Sequence, residues 1–92
     1  LSDYADRKIK RRADILSEEI DNEIVLFDPK NKNTYALNRM ASIIWQLCDG
    51  NHTPSEISAE ISGALEVDSD RVLADVLRTI GSLLDRNLVE IN

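Results

Sequence analysis

The chain has 92 residues, of which 42% are hydrophobic and 30% charged, with a formal net charge of −6. That length fits one small domain with a modest core and argues against a deep enzyme cleft, and the composition is that of an ordinary globular protein rather than a disordered one. No apolar window of about 18 residues and no apolar N-terminal segment occurs, so neither a membrane span nor a secretory signal is expected, and the single cysteine, Cys48, suits a reducing, cytoplasmic setting.

Charge is unevenly spread. Residues 1–12 hold Arg7, Lys8, Lys10, Arg11 and Arg12 against Asp3 and Asp6, a net of +3, so the other residues carry −9. An acidic body repels phosphates, which leaves the basic segment as the one plausible nucleic-acid contact. Without sustained periodicity, residues 1–12 read as a flexible, solvated basic arm, and residues 13–92 as the folded domain. The first residue is Leu1, which hints that others precede it.

Ile15 to Ile20 has the length of a strand but mixed patterning, with Glu18 and Glu19 in its middle. Asp21-Asn22 suits a two-residue hairpin turn because both residues tolerate positive φ. Glu23 to Phe27 is the strongest strand, β-branched and apolar, with Ile24 and Leu26 on one side and Val25 and Phe27 on the other. Helices on one side only would leave Val25 and Phe27 exposed, to be covered by the arm or a crossing loop, or to serve as a dimer or partner surface. Pro29 marks the polar loop Asp28 to Asn33, and Thr34 to Leu37 forms a third strand.

Asn38 is a suitable N-cap for a helix carrying Met40, Ile43, Ile44 and Leu47 at helical spacing, stopped near Gly50. Thr53-Pro54-Ser55-Glu56 predicts a capping box with proline at the first helical position, opening a helix with Ile57, Ile61 and Leu65 on its buried stripe and ending near Ala64. Asp68-Ser69-Asp70 opens a third helix, whose apolar stripe from Val72 through Leu84 runs to about Arg86. Asn87 ends it, and Leu88 to Ile91 is a short extended tail, paired or simply packed. The expected fold is α+β and winged-helix-like: a three-stranded antiparallel sheet followed by three helices.

Cys48 and His52 are the only residues of their kinds and cannot make a zinc site of three or four nitrogen and sulfur ligands. They read as a packing cysteine and a turn histidine rather than a catalytic dyad. No cofactor is expected, and no motif gathers the carboxylates for catalysis.

The run LNRMASIIWQLCDGNHTPSEI resembles the signature region of the PqqD family through Leu37, Asn38, Ala41, Ile44, Trp45, Leu47, Asp49, Gly50, Thr53, Glu56 and Ile57. The apolar strand before a proline turn, Ile24 to Pro29, fits the same pattern, and the similarity extends over roughly residues 14–91. The resemblance implies a winged-helix-like recognition element that binds the leader of a ribosomally made precursor peptide and presents it to a modifying enzyme. In the founding case that partner is a radical S-adenosylmethionine protein of pyrroloquinoline quinone biosynthesis, and in other members a peptide protease or cyclase. It further implies that the leader adds as a strand beside Thr34, Tyr35, Ala36 and Leu37, in a groove shared with Arg71, Val72, Asp75, Val76 and Thr79 of the third helix. Most of the signature is scaffold and identifies the fold rather than the ligand.

On this reading all four strand residues contribute backbone hydrogen bonds, Val72 and Val76 make an apolar floor or are plain core, and Arg71 and Asp75 pair with leader charges. A homodimer through the Val25 and Phe27 face is compatible with it. The alternative, a winged-helix DNA-binding regulator, calls for a basic recognition helix. The third helix instead sets Asp70, Asp75 and Asp85 against Arg71, Arg78 and Arg86.

Overall fold

A computed structural model describes residues 3–92. Strands β1 (Ile9–Arg11), β2 (Leu16–Ile20), β3 (Glu23–Asp28) and β4 (Asn33–Ala36) precede helices α1 (Arg39–Leu47), α2 (Pro54–Leu65) and α3 (Ser69–Asp85), and a last strand β5 (Val89–Ile91) closes the chain. The α+β order expected above is present, as an antiparallel sheet β2-β3-β4 with a second, two-stranded sheet β1-β5.

The β2–β3 hairpin turns on Asp21 and Asn22, with φ of 53° and 68°, the left-handed pair that matches strand twist. β3 is the central strand and pairs β2 from Leu16↔Phe27 to Ile20↔Glu23, and β4 from Val25↔Ala36 to Asp28↔Asn33. Alternation puts Ile24 and Leu26 on the inner face, where both are buried with Leu37, Ile44, Trp45, Val76, Ile80 and Leu83. On the outer face Val25 and Phe27 are half-buried and, with Leu16, line an open hollow. Among the described residues, none from the expected arm lines that hollow.

Each helix start follows its sequence signal. Asn38 accepts from the Ala41 N–H, Thr53 and Glu56 form the full capping box, and Asp68 accepts from the Asp70 N–H. α3 is closed off by Asn87, two residues past its end, where φ is 56°, and the Leu88 N–H donates to the Leu83 carbonyl while that of Asn87 donates to Leu84. This paired closure turns the chain into β5 and buries Leu88 completely.

The N-terminal reading needs correction. Leu1 and Ser2 of the expected arm lie outside the described residues, but the rest of it is built into the fold. Ile9–Arg11 is strand β1, antiparallel to β5 with Ile9↔Ile91 and Arg11↔Val89, and Ile9 is fully buried. On its other side β1 meets the α1–α2 connection: the Ile9 N–H donates to the His52 carbonyl, that of Arg11 to Cys48, and that of Gly50 to Ile9. Further upstream the Tyr4 hydroxyl donates to the Leu77 carbonyl of α3, and the Ser55 N–H donates to the Ala5 carbonyl. Arg12 donates to Asp28 from its two terminal guanidinium nitrogens, at 2.9 and 3.1 Å, tying the segment to the end of β3.

Candidate functional site

Among the described residues β4 pairs with β3 alone and so forms a sheet edge. Which of its backbone groups are free follows from the register. The Leu37 N–H donates to the Ile24 carbonyl at 2.8 Å, so Ile24 and Leu37 are a hydrogen-bonded pair. Bonded and non-bonded pairs alternate in an antiparallel ladder, which makes Leu26↔Tyr35 bonded and Val25↔Ala36 and Phe27↔Thr34 non-bonded. Thr34 and Ala36 therefore turn their N–H and C=O groups to the open side, and both residues are exposed. The backbones of Tyr35 and Leu37 face β3, so of the four expected strand contributors two point outward and two do not.

The far end of the ladder is sealed. Past β4 the Ile24 N–H donates to the buried Ser42 hydroxyl at 2.9 Å, and that hydroxyl donates to the Asn38 carbonyl at 2.8 Å. The Ile24 N–H is thus taken up beside α1, and on this side of the sheet the opening lies along β4.

Along α3 the expected residues divide. Val76 is fully buried and Val72 is 7% exposed, both in the core cluster, so they are packed as core rather than laid open as an apolar floor. Arg71 is exposed, and Asp75 and Thr79 are half-exposed, with Asp75 already ion-paired to Arg78. Sequence reasoning passed over Arg86, whose guanidinium lies 5.2 Å from the centre of the Tyr35 ring. Positions 79 and 86 are seven apart and share one helical stripe with 75 and 82, and this contact brings the C-terminal end of that stripe to Tyr35. The usable signal was that spacing from Thr79.

The other chemically suggestive residues are structural. Cys48 is fully buried and burial pushes its thiol up to about 12, which leaves it unreactive. His52 sits between Asp49 at 2.9 Å and Glu60 at 3.2 Å, and the hydrogen bond to Asp49 raises its pKa. Among the described residues no group of three or more His, Cys, Asp or Glu is placed to hold a metal ion, and no helix is long and apolar enough to cross a membrane.

The sequence profile of Coenzyme PQQ synthesis protein D (PqqD) matches residues 23–89. The chain belongs to the PqqD family. Among solved structures it is similar to TbiB1 in complex with the TbiA(beta) leader peptide, with 28% identity, a TM-score of 0.79, and coverage of 88% of this chain and 94% of that one. A lasso peptide synthetase B1 complexed with the leader peptide shares 22% identity over 90% and 98% of the two chains at a TM-score of 0.78. The PqqD truncation of Methylobacterium extorquens PqqCD, a stand-alone recognition element for ribosomally synthesized and post-translationally modified peptides, shares 23% over 89% and 87% at 0.74. Among curated proteins none matches.

In this PqqD-family chain the signature has a physical reading. Leu37, Ile44, Trp45 and Ile57 are core, Asn38, Thr53 and Glu56 are caps, and Asp49 accepts from the Asn51 N–H to shape the loop. Gly50 adopts φ of +86° against Lys10 of β1, where a side chain would be strained. These residues build the frame that holds β4 open without themselves lining it.

Proposed function

We propose that the chain binds the leader region of a ribosomally made precursor peptide as a strand added to β4, beside α3, and presents it to a modifying enzyme. The observation that carries this reading is the outward backbone of Thr34 and Ala36 on an otherwise closed sheet edge. Family membership and the likeness to TbiB1, itself solved with a leader peptide, support it. The role is recognition rather than catalysis.

Two outward residues offer two donors and two acceptors, worth about 4 kcal/mol together at about 1 kcal/mol net each. A micromolar Kd needs about 8 kcal/mol, so roughly half of the affinity falls to side chains along α3. A disordered leader also loses entropy on ordering, which holds affinity near micromolar and lets the peptide be released. The outer hollow at Leu16, Val25 and Phe27 lies on the opposite face of the sheet and stays available to the enzyme, a radical S-adenosylmethionine protein or a peptide protease or cyclase.

The test is Ala36→Pro. This removes an outward donor at a position whose N–H takes no part in pairing with β3. Titration of a labelled leader from the neighbouring gene cluster should show affinity about five- to tenfold weaker with unchanged circular dichroism. Unchanged affinity would reject strand addition at β4.

A further inference from the structure

The two edges of the larger sheet carry opposite charge. From Ala13 to Pro29 the chain has six carboxylates and no Lys or Arg, whereas from Lys30 to Arg39 it has three cations and no carboxylate. Asp14 and Asp28 share one cation, Arg12, and the other four carboxylates of the first stretch sit on the β2–β3 hairpin, at Glu18, Glu19, Asp21 and Glu23. Lys32 lies in the turn that enters β4, Arg39 follows its far end, and Arg86 leans over Tyr35 from α3. None of these three cations takes part in an ion pair among the described residues.

We propose that the strand completing β4 is acidic, with carboxylates on the side that faces α3 and Arg86. The proposal rests on the strand-addition reading and adds a charge class to it. An added strand lies about 5 Å from β4 and about 15 Å from β2, given the spacing of neighbouring strands. With a screening length of about 8 Å at physiological ionic strength, the guest meets the cations that flank β4 at close range while the carboxylates of β2 are largely screened. The net charge of −6 therefore does not decide the matter; the local sign does. Alternation supplies the rest, because residues of the guest that share the Tyr35 side reach Arg86, and a guanidinium stacked on a ring keeps its donor edge free for a carboxylate.

Three synthetic strand peptides with one shared valine alternation, and Glu, Gln or Lys at the intervening positions, separate the possibilities. Amide shifts of Thr34 and Ala36 in the labelled protein report strand addition, and fluorescence anisotropy gives affinity. The Glu peptide should bind about tenfold more tightly than the Gln peptide, and the Lys peptide more weakly than either, from several partly exposed charge contacts. In Arg86→Gln the Glu-over-Gln preference should fall by about two- to fivefold while the Gln peptide is unaffected. Equal affinity for all three, with Thr34 and Ala36 shifting, would overturn the acidic preference and leave strand addition standing. No shift at Thr34 or Ala36 with any peptide would overturn both. Tighter binding of a short DNA duplex than of the Glu peptide would overturn the proposal in favour of a phosphate ligand.

Discussion

Ser42 is a small residue with a large consequence for where the sheet is open. Its buried hydroxyl accepts the Ile24 N–H and returns its own proton to the Asn38 carbonyl, and Ser42→Ala leaves that N–H unsatisfied in the core. The expected cost is about 1–2 kcal/mol, read as a lower urea midpoint with an unchanged slope. Charges act through pH. Arg12 holds the Asp28 carboxyl below its ordinary value of 3.8, so this contribution is fully present above that value and is lost as pH falls through the lowered one. His52 has the opposite sign. Its pKa is raised from 6.5, so its contribution is complete below 6.5 and is lost as pH rises through the raised value. Thermal melts should peak between about pH 4.5 and 6.5, with His52→Gln flattening the alkaline side and Asp28→Asn removing part of the acid limb.

Among the elements, β4 offers a contrast within a single strand. Tyr35→Pro removes a donor that pairs with Leu26, and should lower thermal stability by on the order of 10 °C. Ala36→Pro, one residue on, should leave it within a few degrees. The helices and the β2–β3–β4 hairpins were legible because their signals are local: the caps at Asn38, Thr53 and Asp68, the Asp21-Asn22 turn, and apolar spacing along α3. The direction of each β4 backbone group was not legible, because it depends on register against β3 rather than on residue type. For the same reason Val72 and Val76 could be read as floor or core from spacing alone, and only burial decides for the core. Val76→Asp accordingly reports on folding, not on peptide binding.

At the scale of the whole molecule, the segment read as a basic arm is a structural member. Five cations in twelve residues carry the composition of a solvated tail, and only Ile9 signals burial. Its partners, residues 48–52 and 89–91, are far along the chain, and no local pattern announces a strand held by such distant pairing. Removing residues 1–12 strips β5 of its partner, uncovers the α1–α2 connection and leaves Asp28 buried without Arg12. The truncated chain should lose its cooperative melting transition, followed by calorimetry.

The meeting of β1 with β5 has one more outcome. The Asn92 N–H donates to the Lys8 carbonyl and the Arg7 guanidinium donates to the Asn92 carbonyl, so Asn92 is held on the smaller sheet while β4 belongs to the other. A guest peptide fused through a flexible tether after Asn92 starts from that fixed point, and its effective concentration at β4 should rise once the tether is long enough to span the two sheets and fall again as it is lengthened further.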